Sequence, residues 1–360
     1  MRLSIGIVGL PNAGKSTLFN ALTAAGALTG VYPFATIDPN VGVVPVPDAR
    51  LERLAEIAGS SKVTPAAVRF VDIAGLVKGA SRGEGLGNRF LANIRDVTAI
   101  CHVVRAFEAP SVAHVADGID PLRDIETVET ELALADLETV ESRLERIERE
   151  ASADPGLRPR ARLLGRVVEL LAGGGMVWRD QDLRGEHDEL GDLFLLTAKP
   201  VVYVFNADED LLEDRERMDV LSAAVAPSQA VFLDASLASE LAELPPDDAA
   251  EMLDSLGLEA TGLSQVIQAA FRALGLHTFL TANANEARAW TIPAGATAVE
   301  AAAEVHSDFA QGFVAAEVVD YETLVGAGSW QVARSRGEVR TEGRSYVLRP
   351  GDVVEFRFNL

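Results

Sequence analysis

Gly9-Leu10-Pro11-Asn12-Ala13-Gly14-Lys15-Ser16-Thr17 separates two glycines by four residues and follows the second with a lysine and two hydroxyls. Residues of these types at this spacing suit a polyphosphate. Glycines let backbone N–H groups converge on phosphate oxygens, and the start of a helix adds partial positive charge. Lys15 would reach the β- and γ-phosphates, and Ser16 would ligate Mg²⁺. The context agrees. Ile5–Val8 is a short apolar run before the glycines, and an apolar-periodic stretch follows Thr17. That order, strand then loop then helix, is the setting of a P-loop.

Two further segments complete a phosphate and metal site. Asp72-Ile73-Ala74-Gly75 ends an apolar strand. An Asp there holds Mg²⁺, usually through water, and the Gly75 N–H can meet the γ-phosphate. Thr36, in Tyr32-Pro33-Phe34-Ala35-Thr36, lies between these motifs, where a threonine can ligate Mg²⁺ and sense the γ-phosphate. Gly79-Ala80-Ser81-Arg82-Gly83-Glu84-Gly85-Leu86-Gly87-Asn88 is too rich in glycine for a good strand or helix. It reads as a mobile switch loop, with a rigid loop of special dihedrals as the alternative. Lys78 and Arg82 beside it would face phosphate, RNA or solvent.

A third site concerns the base. Asn206-Ala207-Asp208-Glu209 follows the strand Val201–Phe205. P-loop GTPases carry Asn-Lys-x-Asp at this place; the Lys stem lies on guanine and the Asp accepts two of its N–H groups. Here Ala207 replaces the Lys and the longer Glu209 replaces the Asp, so guanine loses its grip and ATP is favoured. Asp208 leaves a one-residue register shift open. Ala235-Ser236, after the strand Val231–Leu233, would supply a backbone N–H to the base.

The elements that must hold these sites follow from patterning. Val41–Val46, Val68–Asp72 and Ile100–Val104 also read as strands, with helical patterns between many of the runs. Alternation of this kind implies an α/β domain with a parallel sheet covered on both faces. Between residues 122 and 196 strands vanish. Leu137, Val140, Leu144 and Ile147 form one helical stripe, Asp154-Pro155-Gly156 breaks it, and Leu163, Leu164, Val167, Val168, Leu170 and Leu171 resume it. This is a helical hairpin inserted between two strands. Its charges read first as a solvated face. From Thr278 onward the chain is β-rich, with Ala289–Ile292, Gly312–Val319, Tyr346–Phe358 and a short helix Ala298–Val305. The expected division is residues 1–277 for nucleotide binding, interrupted by the hairpin at 122–196, and 278–360 for a compact α+β module.

Composition bounds the partners. The 360 residues carry 54 acidic and 32 basic side chains, a formal net charge of −22. Bulk charge therefore opposes coating of nucleic acid, DNA included, and RNA contact needs a local basic patch. Lysine occurs only at Lys15, Lys62, Lys78 and Lys199, and Cys101 stands alone, which excludes internal disulfides. No apolar run approaches a membrane span, and the N-terminus reads as a strand rather than a signal peptide. The expected location is the cytoplasm.

Together these residues resemble the YchF or Obg-like ATPase family of P-loop NTPases, end to end. The most specific pieces are Gly9–Thr17, Asp72 through Ser81, the glycine run to Asn88, and Asn206-x-x-Glu209. Arg288-Ala289-Trp290-Thr291-Ile292, His306-Ser307-Asp308-Phe309 and Gly312-Phe313 are similar to the family's TGS domain, a β-grasp fold. The resemblance implies a G-domain interrupted by a coiled-coil hairpin, then the TGS module. It implies ATP preference, Mg²⁺ dependence and association with the ribosome, through rRNA and ribosomal proteins. It carries nucleotide contacts onto Asn12, Ala13, Gly14, Lys15, Ser16, Thr17, Asn206 and Ala207, and metal ligands onto Ser16 and Thr36. Two places depart from the family's pattern. Val31 precedes Tyr32-Pro33-Phe34 where relatives tend to be polar, and Asp234-Ala235-Ser236 is an unusual base-contact loop.

Hydrolysis needs an oriented water. Many P-loop NTPases place Gln after Asp-x-x-Gly; here Leu76 has no polar atom. His114, in the loop after the strand ending near Arg105, is the local candidate, and the family also places a His there. The alternative is a surface-loop His. Asn12 is a second catalytic candidate beside Lys15: in some P-loop NTPases an Asn there helps hold K⁺ against the phosphates, and otherwise it bonds local backbone. Trp290 reads as β-grasp core or as an RNA platform. Arg334, Arg336, Arg340 and Arg344 read as a phosphate patch or as partners of Glu338 and Glu342. His102 and His306 read as structural. The expected function is a slow Mg²⁺-dependent ATPase switch bound to the ribosome. The rivals are a GTPase switch of the same fold, and a nucleotide-sensing module whose hydrolysis is incidental.

Overall fold

The computed structural model describes residues 3–28, 40–73, 86–108, 118–256, 258 and 261–359. Along the chain the strands are β1 (Ile5–Val8), β2 (Val41–Pro45), β3 (Val63–Thr64), β4 (Ala67–Asp72), β5 (Ala99–Ala106), β6 (Val201–Ala207), β7 (Gln229–Leu233), β8 (Leu276–Ala282), β9 (Ala287–Pro293), β10 (Phe313–Asp320), β11 (Arg340–Glu342) and β12 (Asp352–Phe358). The first five helices are α1 (Lys15–Leu28), α2 (Arg50–Ala58), α3 (Leu86–Arg95), α4 (Pro121–Ala151) and α5 (Arg158–Ala172). None of the described helices is long and apolar enough to cross a membrane.

The chain forms two compact units. The first is built on a six-stranded sheet in the order β2-β4-β1-β5-β6-β7. β1 pairs in parallel with β4 and β5, and β5-β6 and β6-β7 are parallel too. Every residue of β5 and β6 is buried, whereas β2 and β4 alternate. That is why Ile100–Val104 and Val201–Phe205 read as unbroken apolar runs: central parallel strands are covered on both faces. The P-loop leaves β1 and enters α1, as its pattern predicts.

The hairpin is α4 and α5. Asp120 caps α4, accepting the Arg123 N–H at 3.1 Å, with Pro121 in the first turn. Val140 and Ile147 are buried against Leu163, Leu164, Val167 and Leu171, with Leu137 and Leu144 packed around them. The turn forms where expected, at Pro155–Leu157, with Asp154 accepting the Gly156 N–H at 2.9 Å. Asp136 of α4 fastens the hairpin to the segment leading into β6. Its carboxylate accepts from Leu196 N (3.0 Å), Thr197 N (2.7 Å) and Thr197 Oγ1 (2.7 Å).

The second unit joins Gly275–Leu360 to Val44–Val68. The linear division at 277/278 therefore differs from the structure by the segment 44–68, which packs with the C-terminal module. Its sheet runs β11-β10-β12-β8-β9-β3, antiparallel except for β12-β8 and β9-β3. Helix Ala298–Val305, opened by a Thr297–Glu300 capping box, places Ala298, Ala301 and Ala302 against Phe279, Ile292, Val318 and Val354. Neither α2 nor β8 has a counterpart in the sequence patterns above.

Candidate functional site

The P-loop is shaped by two close approaches. A Cβ on Gly9 would lie 2.3 Å from the Val103 carbonyl oxygen of β5, so the chain leaving β1 runs against the neighbouring strand. A Cβ on Gly14 would lie 2.2 Å from Nδ2 of Asn206, and Gly14 has φ +95°. Both positions require glycine. Asn12 adopts φ 63°, a left-handed conformation that a short polar side chain tolerates. Ala13 is buried.

Lys15 opens α1. Its Nζ donates to the Leu10 carbonyl of the same loop at 2.8 Å, and the residue is 8 % exposed. Burial lowers its pKa, and the Asp72 carboxylate acts in the opposite sense. Ser16 follows, and its Oγ donates to Oδ2 of Asp72 at 3.4 Å. Residues from α1 and the end of β4 thus meet, both with oxygen atoms. Hard oxygens of this kind suit Mg²⁺, which also takes ligands from water and substrate phosphate. Thr17 follows in the first turn of α1. Thr36, Gly75 and His114 lie outside the described residues, as do Leu76, Lys78 and Arg82.

Asn206, at the end of β6, is 6 % exposed and braces the loop. Its Nδ2 donates to the Ala13 carbonyl at 3.1 Å, and its Oδ1 accepts the Ala235 N–H at 2.9 Å. One amide therefore ties the P-loop to the loop after β7. The amides expected to reach the base are engaged within the protein. Ala235 donates to Asn206, and Ser236 donates to Oδ1 of Asp234 at 2.8 Å. Asp234 also accepts the Leu237 N–H, capping helix Ala235–Glu243. This leaves Ser236, which is exposed, its hydroxyl.

Asp208, on which the register alternative rests, serves the local fold. Oδ1 of Asp208 accepts the Leu211 N–H at 3.2 Å as a helix cap, and Oδ2 accepts the Glu108 N–H at 3.0 Å. Each oxygen already holds a backbone donor. Ala207 is buried, and Glu209 is exposed in the first turn of helix Glu209–Glu213. Beside this segment opens a cavity of about 560 Å³ lined by Phe107, Asp208, Leu211 and Val220, among others. The sequence patterns did not single out Phe107. It sits beyond β5 with the Arg105 guanidinium 4.6 Å from its ring centre, and an aromatic ring just past a central strand was the available signal.

Behind the loop lies a buried polar cluster that the patterns also missed. Glu129 of α4 receives two bonds from Arg179, at 2.7 and 3.1 Å. Arg179 also donates to the Tyr203 hydroxyl at 2.8 Å, and Tyr203 donates to Glu129. The His102 ring lies 5.4 Å from that of Tyr203. Burial, with the Lys15 and Arg179 cations, pushes the His102 pKa down to about 3, so the imidazole is neutral. His102 is 3% exposed beside this cluster, which agrees with the structural reading.

In the second unit Trp290 stacks on Phe279 and donates to Thr281 Oγ1 at 2.9 Å, with the Arg288 guanidinium 3.9 Å from its ring centre. The C-terminal arginines divide. Arg334 is held by Glu317 and Glu355, and Arg340 by Glu342 and Asp352. Arg344 lies over Phe313. Half of that group is self-paired.

Known proteins share this sequence and architecture. A family model described as a 50S ribosome-binding GTPase matches residues 4–141, and the YchF-GTPase_C model, described as a protein of unknown function, matches residues 276–359. The chain is 46% identical to a Haemophilus ducreyi protein named ribosome-binding ATPase YchF, with 100% of each chain covered. A Bacillus subtilis protein of the same name is also 46% identical over 100% of both chains. The solved structure titled Schizosaccharomyces pombe YchF GTPase superposes with a TM-score of 0.87 at 34% identity, covering 99% of this chain and 97% of that one.

Proposed function

The chain belongs to the YchF family, and from that membership we propose that it is a cytoplasmic ATP-hydrolysing switch that binds the ribosome. The observation that carries the ATP reading is the base segment. Ala207 is buried where a guanine-stacking Lys would stand, and both Asp208 oxygens are engaged by backbone. The exposed Glu209 carboxylate or a backbone carbonyl would accept the adenine N6–H. Ser236 would contribute its hydroxyl.

The residues of the loop divide the work. Backbone N–H groups of Asn12 through Thr17 would cradle the phosphates, and Lys15 would exchange the Leu10 carbonyl for phosphate oxygens. Asn206 holds the loop in place while this occurs. Ser16, Thr36 and Asp72 would hold Mg²⁺, which when bound neutralises charge on the β- and γ-phosphate oxygens. Gly75 would donate its N–H to the γ-phosphate. His114 would orient the attacking water, since Leu76 cannot. Asn12 would help place K⁺. The loops around Thr36 and Gly75–Asn88 would order on γ-phosphate contact and relax after hydrolysis. We read residues 278–360 as a TGS-type β-grasp module, supported by the helix Ala298–Val305 lying on a mixed sheet. Both rRNA and ribosomal proteins would be contacted.

Competition binding tests the nucleotide reading. Labelled ATP and GTP analogues are each displaced by unlabelled nucleotides with Mg²⁺ present. An ATP preference of at least about tenfold, roughly 1.4 kcal/mol, is expected. Equal or tighter GTP binding would make the protein a GTPase switch of the same fold.

A further inference from the structure

Helix α5 reverses the charge of the molecule around it. The whole chain has a formal net charge of −22, yet Arg158–Ala172 holds Arg158, Arg160, Arg162 and Arg166 against the single acid Glu169. Its apolar stripe of Leu163, Leu164, Val167 and Leu171 is buried against α4. Arg160 is also committed: with Arg143 it grips Asp192, at 2.6 and 2.9 Å. The other three arginines are exposed and recur at i, i+4 and i+8, on the side away from the apolar stripe. Arg166 stands 3.7 Å from an Asp182 side chain that is 86% exposed, a pairing that contributes little. Arg158 and Arg162 form no ion pair among the described residues, whereas Arg146 on α4 is paired with Glu150.

A second feature lies on the same face. Gly165 is in the helix interior, seven residues after Arg158 and three after Arg162. A Cβ there would meet nothing within 4 Å. The fold therefore has no need of glycine, which is less favourable than alanine inside a helix. What it provides is a flat strip of backbone beside the arginines, where another chain can approach closely.

We propose that this face of α5 binds the sugar–phosphate backbone of RNA. Arginine's planar fork matches phosphate oxygens, and a flat, positively charged strip on an otherwise acidic protein confines RNA to one place. A membrane is a poorer fit. A helix that lies on lipid sets apolar residues beside its basic ones, and here the apolar residues point into the hairpin. The proposal rests on the ribosome reading above and names the surface that carries it.

The test uses the full chain with purified ribosomes, pelleted with ATP present over a series of KCl concentrations. The triple variant Arg158→Glu, Arg162→Glu, Arg166→Glu is expected to bind at least about tenfold more weakly. Its dependence of log K on log salt is expected to be shallower, by about 0.7 to 0.9 for each phosphate that the variant no longer neutralises. ATP affinity should match the parent, which also reports an intact fold. Gly165→Gln, with every arginine retained, should weaken ribosome binding as well. Equal ribosome binding by parent and triple variant overturns the assignment to α5 and leaves the ribosome reading standing. A parent that does not pellet with ribosomes overturns both. Arginine-dependent capture of the parent by vesicles of anionic phospholipid, in place of ribosomes, overturns the choice of RNA.

Discussion

Asn206 uses both ends of its amide to join the P-loop to the loop after β7, so its side chain braces the two loops. The spacing of Asn206-x-x-Glu209 marks the end of β6, but spacing alone carries no information about which polar atoms the fold consumes. The same holds for Asp208, which meets the Glu108 N–H only when distant segments come together, and for Ser236, whose N–H is taken by the nearby Asp234 carboxylate. His102 shows what such burial does to chemistry. Its pKa is lowered to about 3 in the fold, against about 6.5 unfolded. A base held neutral stabilises the fold fully above the unfolded pKa, and that contribution is lost as pH falls toward the folded value. Between pH 7 and pH 5 the parent should lose about 2 kcal/mol more than a His102→Gln variant. Urea unfolding at the two pH values gives the comparison, and equal losses would remove His102 from the acid response. His114→Ala is expected to lower steady-state turnover and leave ATP affinity unchanged; unchanged turnover would exclude His114 from the reaction. If Asn12 helps place K⁺, hydrolysis runs faster in K⁺ than in Na⁺ at matched ionic strength, and identical rates argue otherwise.

The hairpin was the element most legible in the sequence, because its apolar spacing persists over many turns and the break at Asp154-Pro155-Gly156 is sharp. The central strands were legible for the opposite reason, being apolar at every position. α2 was not, although Leu51 and Leu54 are fully buried: nine residues give little periodicity, and the segment lies far in sequence from β9, against which it packs. What periodicity cannot show is how an element is fastened. α4 is tied to the approach to β6 by Asp136, whose carboxylate burial alone would penalise; burial raises its pKa while bonds from Thr197 and Leu196 oppose the rise. Asp136→Ala would leave three donors without acceptors in the interior. The expected loss is about 2–4 kcal/mol, read by urea unfolding. A loss below about 0.5 kcal/mol would mean that water replaces the carboxylate and that the hairpin is held by its apolar stripe alone.

At the scale of the whole molecule, domain membership does not follow chain order. The sequence supports a boundary near 277, because that is where strands resume after the last helix of the first sheet. The structure places the second unit's other part some 200 residues earlier, by its sequence numbers, at Val44–Val68. The reason is local chemistry. β3 adds to β9 at the sheet edge, and Thr64 Oγ1 donates to Glu286. Lys62 pairs with Glu286 at 3.2 Å, Ser60 and Ser61 bond the carbonyls of Asn283 and Asn285, and Arg50 reaches Thr278 at 3.3 Å. None of these partners is apolar, so a hydropathy pattern contains no trace of them. The consequence is testable by ending the chain at Leu274. Segment 44–68 would then lose β9, and Leu51 and Leu54, 1% and 0% exposed in the full chain, would lose their cover. Burying a leucine side chain is worth about 1.5–3 kcal/mol, so the shortened chain should expose an apolar patch that binds an environment-sensitive dye and promotes association. Adding residues 275–360 as a separate polypeptide should reverse both effects. Dye binding no higher than that of the full chain would show that 44–68 finds its cover within the first unit, and the chain-order boundary would then be the physical one.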